Sequence, residues 1–337
     1  MTMSGDLQTA IEEELSGANA SHLADRYQTL SRAYRNPDDR DRIPPASRDQ
    51  VQAYLAARLP ATYQAVEAVL AQVALRLRSD WHPRSLLDLG AGPGTVMWSL
   101  LRRFTSITEV TLLEYNPHMI GLGRRLAQHA ADPRLTAAHW IQADLERSLP
   151  TLTAHDGVVV AAYAVGELTA TGRRALFEWA VRIRPPLLIL IEPGTPKGFA
   201  TILAARQHLM AHGATILAPC PADVPCPLAR TSDWCHFSVR VARSRWHRQL
   251  KAARRGYEDE KFSFVALTFP GETVAWGERS PRILRHPHIG KGYLRFTLCT
   301  ENRLVTRVVT RSEPGYHRFR KLKWGDALAE AGPEPDA

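Results

Sequence analysis

The chain has 337 residues, of which 45% are hydrophobic and 23% charged, and its 43 Lys/Arg against 34 Asp/Glu give a formal net charge of +9. That length can bury a sizeable core. No apolar run reaches the length of a membrane span: the longest candidate, Pro186-Leu187-Leu188-Ile189-Leu190-Ile191, is strand-sized. Residues 1–17 have no basic n-region, no apolar h-region and three consecutive glutamates, unlike a signal or transit peptide. The expected location is therefore the cytoplasm, where cysteine groups more often bind metal than form disulfides.

Residues 1–80 read as a helical region. Segments 49–59 and 63–77 carry apolar residues at helical spacing, with Pro60 between them, and 35–47 reads as a loop rich in Pro, Asp and Arg. From residue 85 strands alternate with helix-length segments. Strands are expected at 86–89, 109–114, 135–142, 156–162 and 187–192, and a helix at 199–211. This order predicts an α/β, doubly wound, Rossmann-like sheet with helices on both faces. From residue 220 the alternation stops. A Cys/Pro segment leads to a basic helix-like stretch and then to strands at 262–267, 292–300 and 303–310. The acidic, Pro-containing end, 327–337, is expected to fray. The implied division is a helical region (1–80), a cofactor-binding domain (81–218), a cysteine-containing β-rich extension (219–326) and a disordered tail (327–337).

The segment Leu87-Asp88-Leu89-Gly90-Ala91-Gly92-Pro93-Gly94-Thr95 follows the first strand and opens a helix. Glycines there let the backbone pass close to a ligand that a Cβ would block. Asp88 can face an amine-bearing ligand. Glu114 ends the second strand, where a doubly wound fold places the acid that holds a ribose diol. Asp144, after the third strand, can receive an adenine amine. Together these positions resemble a class I S-adenosylmethionine-dependent methyltransferase domain, with cofactor-binding residues Asp88, Gly90, Gly92, Gly94, Glu114 and Asp144. No Lys-Ser/Thr follows the glycines, which argues against a P-loop. A nicotinamide-binding domain is the competing reading.

A methyl acceptor would lie at the end of the fourth strand. Base-amine methyltransferases usually carry an Asn/Asp-Pro-Pro-aromatic motif there, whereas this chain reads Ala161-Ala162-Tyr163-Ala164-Val165-Gly166-Glu167-Leu168. Tyr163 could stack on a base and Glu167 could accept a proton; packing and helix capping are the favoured account of both.

The chain has four cysteines, Cys220, Cys226, Cys235 and Cys299, spaced C-x5-C-x8-C with the fourth far downstream. Four thiolates meeting at one point would make a metal or iron–sulfur site. The spacing matches neither the short knuckles of common zinc sites nor the usual ferredoxin runs. Buried inert thiols are the alternative, and His236 is a possible substitute ligand.

The positive charge is uneven. Residues 230–255 hold eight Lys/Arg and one acid, Asp233, and a second basic run lies at Arg318-Phe319-Arg320-Lys321-Leu322-Lys323-Trp324. Basic residues interleaved with aromatics suit a polyanion, RNA first. The candidate RNA-binding residues are Arg240, Arg243, Arg245, Arg248, Lys251, Arg254, Arg255, Arg320, Lys321 and Lys323.

Several motifs together resemble the methyltransferase-like small-ribosomal-subunit proteins of mitochondria and bacteria. They are Ala53-Tyr54-Leu55-Ala56-Ala57-Arg58-Leu59-Pro60-Ala61-Thr62-Tyr63, the Asp88–Gly94 loop, the Tyr163–Leu168 segment, and Ile191-Glu192-Pro193-Gly194-Thr195-Pro196-Lys197-Gly198. Cys220-Pro221, Cys226-Pro227, Trp234-Cys235-His236-Phe237 and Tyr257-Glu258-Asp259-Glu260-Lys261-Phe262-Ser263 complete the set. The resemblance implies a [4Fe–4S] cluster on Cys220, Cys226, Cys235 and Cys299, with zinc as the alternative. It also implies association with the small ribosomal subunit and its RNA during assembly, and a cofactor site for S-adenosylmethionine. A bacterial, cytoplasmic member without a membrane partner is the expectation. The competing functions are an active ribosomal RNA methyltransferase, and a small-molecule methyltransferase with a structural zinc.

Overall fold

The computed structural model describes residues 3–35, 48–151, 157–251, 255–269 and 279–328. Of the loop expected at 35–47, Arg35 ends a helix and residues 36–47 lie outside the described residues, as do the start of the fourth strand at Asp156, Arg254 and the tail beyond 328.

Four helices open the chain: α1 (Gly5–Glu14), α2 (Ala20–Arg35), α3 (Arg48–Ala57) and α4 (Leu59–Ala74). Pro60 lies in the first turn of α4 rather than between two helices, a position where its missing N–H has no helical partner to lose. Next come β1 (Ser85–Leu89), α5 (Thr95–Arg103), β2 (Glu109–Glu114), α6 (Pro117–Ala127), α7 (Pro133–Thr136) and β3 (His139–Gln142). The strand expected at 135–142 is thus helical at its first two residues and extended only over its last four. The Asp132 side chain accepts the Arg134 N–H at 3.0 Å and Pro133 starts the turn, so extended backbone begins only at His139. The chain continues through β4 (Val158–Ala162), a 3-10 turn (Val165–Glu167), α8 (Ala170–Ile183), β5 (Leu187–Pro193), α9 (Pro196–Ala211) and β6 (Thr215–Ala218). It then forms β7 (Phe237–Ala242), α10 (Arg245–Leu250), β8 (Tyr257–Thr268), β9 (Arg282–Ile283), β10 (His288–Gly290), β11 (Tyr293–Cys299), β12 (Leu304–Thr310) and α11 (Tyr316–Phe319).

The main sheet has the order β3-β2-β1-β4-β5-β8-β6. Strands β1 to β5 are parallel to one another, and β8 runs antiparallel to both β5 and β6. This is the α/β, doubly wound, Rossmann-like architecture. Its strands read as continuous apolar runs because both faces are covered. In β5, Leu187, Ile189 and Ile191 enter the core under the N-terminal helices, while Leu188 and Leu190 enter the core under α8 and α9.

Sheet membership crosses residue 218. Residues 262–268 of β8 lie between β5 and β6, so the cysteine segment is inserted before the sheet is complete. The other half of β8 pairs with β7. The basic stretch is therefore a strand, β7, followed by the six-residue α10, not one helix; the alternation Phe237, Val239, Val241 favours the strand. The last strands form a separate antiparallel sheet, β10-β11-β12 with β9 beside β11, which packs Leu294, Phe296 and Leu298 against Phe319 and Leu328. No helix among the described residues is long and apolar enough to cross a membrane.

Candidate cofactor and cysteine sites

The order of the main sheet reverses between β1 and β4, which opens a crevice at their carboxyl ends. The glycine loop occupies that point. A Cβ on Gly90 would stand 2.5 Å from the Ala164 Cβ after β4, so Gly90 lets the two loops touch. Gly92, at φ +56°, faces open space apart from the Tyr54 hydroxyl 3.9 Å away. It is the position at which a ligand can approach the backbone.

Glu114 braces the loop. Its carboxylate accepts the Gly92 and Asn116 N–H groups, each at 2.8 Å, and each oxygen keeps a lone pair for a ribose hydroxyl. Burial pushes its pKa up against these bonds. Asp88 is fully buried and neither of its oxygens has a hydrogen-bond partner among the described residues. Burial, and then the Glu114 charge, push its pKa up to about 8. An orphaned carboxyl below an open glycine loop, with a braced acid beside it, fits a cationic nucleoside ligand such as S-adenosylmethionine. Asp144 is further out. It caps its own turn through the Glu146 N–H at 3.0 Å and pairs with Arg147 at 3.3 Å. Tyr115, directly after Glu114, is 53% exposed. The sequence reading passed over it, although an aromatic next to the ribose acid is a signal for base stacking.

The acceptor side of the crevice is occupied by side chains. Tyr163 has a left-handed φ of +60°, a strained backbone for a tyrosine. Its hydroxyl donates to Glu260 at 3.3 Å, Glu260 pairs with Arg58 at 3.3 Å, and the Arg58 guanidinium lies 6.0 Å from the Tyr163 ring. Arg58 and Glu260 were missed as site residues because they are about two hundred positions apart. Glu167 is exposed on the 3-10 turn. The buried acid nearby is Glu192, which accepts the Gly166 N–H at 2.8 Å and whose pKa burial raises to about 7.

Cys220, Cys226, Cys235 and Cys299 all line one cavity, together with Arg206 and Arg282. Three of them come from the insert between β6 and β7, and Cys299 ends β11 of the second sheet. The Cys235 carbonyl accepts Ser263 Oγ of β8 at 2.7 Å, and Trp234 Nε1 donates to the Gly194 carbonyl at 3.0 Å. Cys299 is in register with Arg282 of β9. Burial first, and then the neighbouring thiols, push the Cys235 pKa well up and that of Cys299 up to about 12. Among the described residues no group of three or more His, Cys, Asp or Glu side chains is arranged to hold a single metal ion. His236 is not aimed at the thiols. Its ring nitrogen meets the Trp234 carbonyl at 3.1 Å and its ring lies between Trp234 and Trp324.

The basic candidates divide into paired and open residues. Glu258 pairs with Arg243, His247 and Lys251 at 3.0, 3.0 and 2.7 Å, and its contacts with His247 and Lys251 hold its carboxyl far below the usual range despite burial. Arg240 pairs with Asp259 at 3.0 Å and stacks over Tyr257. Thus Arg243 and Lys251 pin α10 to β8 rather than form an open cationic face. Arg245, Arg248, Arg255, Arg320, Lys321 and Lys323 are exposed. The acids of the 257–263 motif each anchor one element: Glu258 holds α10, Asp259 holds β7 and Glu260 holds Arg58 at the α3–α4 junction.

Among solved structures, the methyltransferase domain of bacterial CtHen1 is 13% identical with a TM-score of 0.42, covering 62% of this chain and 98% of that one. The glycopeptide N-methyltransferase MtfA is 14% identical with a TM-score of 0.40, covering 62% and 94%. The ribosome assembly protein METTL17, mitochondrial, of Homo sapiens is 26% identical over 297 residues, 82% of this chain and 61% of that protein. The Rsm22-cox11 tandem protein 2, mitochondrial, of Schizosaccharomyces pombe is 25% identical over 334 residues, 84% of this chain and 43% of that protein. The chain thus spans less than two thirds of the length of these relatives. These relatives are mitochondrial proteins, which overturns the cytoplasmic location expected from residues 1–17. The family model for the mitochondrial small ribosomal subunit protein Rsm22 matches residues 48–329, from α3 through the glycine loop to all four cysteines, and the chain belongs to that family.

Proposed function

We propose that this protein is an S-adenosylmethionine-binding, RNA-associated factor that acts on the small ribosomal subunit during assembly, and that it carries a [4Fe–4S] cluster on Cys220, Cys226, Cys235 and Cys299. The observation that carries the reading is the meeting of Asp88, Gly92 and Glu114 at the switch point of a chain from a small-subunit protein family. Gly90 and Gly94 shape the loop, Glu114 takes the ribose, Tyr115 stacks on the adenine and Asp144 lies at the adenine edge. In the proposed division, residues 81–218 with β8 hold the cofactor, and residues 219–326 hold the cluster and the RNA surface.

The family resemblance favours a cluster over zinc, and four cysteines are a donor set that either can use. A single zinc ion with bonds of about 2.3 Å needs four sulfurs roughly 3.8 Å apart. The four thiols share one cavity, and an iron–sulfur core is larger than a single ion. The cluster's contribution is a four-point crosslink between the insert and the second sheet. That crosslink presents Arg245, Arg248, Arg255, Arg320, Lys321 and Lys323 on a preformed surface, so RNA phosphates are bound with less ordering cost. Tyr163, Arg58 and Glu260 fill the acceptor side, and the base-amine motif is absent; both favour a scaffold over a catalyst.

The test compares cells with and without the gene, by mapping ribosomal RNA methylation and sedimenting the small subunit. An unchanged methylation map with a small-subunit deficit, restored by the gene, is expected. A lost methyl group that the gene restores would make the protein a methyltransferase, and normal subunits with an unchanged map would remove the ribosomal reading.

A further inference from the structure

Four arginines lie near the cysteines, two of them lining the cavity and the other two held by carboxylate partners. Arg279 pairs with Asp223 at 2.6 Å, and Arg285 pairs with Asp233. Arg206 and Arg282 differ. They are 5% and 6% exposed, and neither has an acid within ion-pair distance among the described residues. Arg206 donates to the Val224 carbonyl and its buried Nε has no partner. Arg282 donates to the Pro219 and Gly325 carbonyls at 3.1 and 2.9 Å. Neutral carbonyls orient both guanidiniums, and the nearby acids, Asp223 for Arg206 and Asp326 for Arg282, act on them only from beyond ion-pair distance, with Asp223 already held by Arg279. A buried cation without an anion is strongly unfavourable. Arginine stays protonated in proteins, so deprotonation is no escape.

Both side chains line the cavity that the four thiols line, where the only carboxylate among the described residues, Glu301, is exposed. The Arg206 charge acts on the Cys220 thiol. Its place is set by α9, whose helical spacing puts it between Ile202 and Leu209 on the buried face.

We infer that Arg206 and Arg282 are the counter-ions of a metal–thiolate centre of net charge minus two. Four thiolates bring four negative charges and an oxidised [4Fe–4S] core brings two positive ones; the two guanidiniums cancel the remainder. The inference rests on the cluster reading above and adds the residues that set the cluster's charge environment. One-electron reduction adds a further negative charge, so a nearby cation favours the reduced form. Removing it lowers the reduction potential.

The experiment uses the full chain, reconstituted anaerobically with iron and sulfide. Iron and sulfide content is measured first, followed by spectroscopic redox titration of the parent, Arg206→Gln, Arg282→Gln, Arg206→Lys and the surface control Arg245→Gln. At the parent's midpoint, each buried Gln variant is expected to raise the oxidised-to-reduced ratio at least tenfold, about 59 mV for one electron. Arg206→Lys is expected to restore most of the shift, and Arg245→Gln to leave the midpoint unchanged. Thermal unfolding separates charge from packing. Arg206→Gln should lower the midpoint of the cluster-loaded protein and leave that of the cluster-free protein at or above the parent's. A parent that takes up neither iron nor sulfide overturns the cluster reading and this inference with it. A loaded parent whose Gln variants keep its potential, or lose stability equally with and without the cluster, overturns the counter-ion assignment alone.

Discussion

Replacing Asp88 by Asn tests how the glycine-loop site holds charge. Asp88 is fully buried, its oxygens have no partners among the described residues, and its pKa is raised from 3.8 to about 8, by burial first and the Glu114 charge second. Between those values the folded chain keeps a proton that the unfolded chain has released. Stability from this group is therefore full below its unfolded pKa and is lost as the pH rises through its folded pKa. At about 1.4 kcal/mol per pH unit, the whole interval corresponds to on the order of 5 kcal/mol. Asn cannot ionise and does not show this loss. Urea unfolding of parent and Asp88→Asn is compared from about pH 5 to pH 8.5. The variant should gain on the parent by about 4 kcal/mol between pH 5 and 8 and level off above that. A difference that does not change with pH would refute the reasoning. The same chemistry applies to the ligand. A cationic cofactor favours the carboxylate, so S-adenosylmethionine binding near pH 7 should release a proton. The binding heat should then follow the buffer's ionisation enthalpy in the parent and not in Asp88→Asn.

Gly90→Ala and Gly92→Arg should separate stability from binding. Gly90→Ala, whose Cβ meets Ala164 at 2.5 Å with φ at +72°, is expected to lose about 2 kcal/mol in denaturant unfolding. Gly92→Arg, pointing into open space, is expected to stay folded and to lose the calorimetric heat with S-adenosylmethionine. Glu258→Gln should cost about 3 kcal/mol, because it strips the shared anion from Arg243, His247 and Lys251. The Glu258 pKa is depressed, so the parent holds this contribution above the ordinary value of 4.5 and loses it on acidification, whereas the variant does not. For RNA, Arg245→Gln and Arg248→Gln should each lower the salt slope of binding by about 0.7–0.9; Arg240→Gln should change it less, because Arg240 is already paired with Asp259.

The parts legible in the sequence were those encoded locally. The apolar runs, the glycine loop and Glu114 at the end of β2 follow from strand burial and spacing. The helix inside 135–142 was missed because the apolar pattern of a short segment does not distinguish strand from helix, while the Asp132–Pro133 start does. The closure of the sheet by β8 was hidden by the cysteine insert, which separates that strand from β6. Charge was the least legible feature. A stretch of eight Lys/Arg with one acid looks like an open cationic face, but Glu258 and Asp259, brought alongside by β7–β8 pairing, neutralise part of it. Arg206 left a readable trace, an arginine at the buried spacing of an apolar helix. Arg58 and Glu260 left none, since only the fold brings them together.

The central claim is that the cysteine centre shapes an RNA-binding surface in a protein whose cofactor site is separate. The most direct measurement is the affinity of the full chain for small-subunit ribosomal RNA at one fixed salt concentration, before and after anaerobic removal of iron, with S-adenosylmethionine calorimetry on both samples. The prediction is at least a tenfold loss of RNA affinity with the cofactor heat retained. RNA affinity that is unchanged when the iron is removed would contradict the claim.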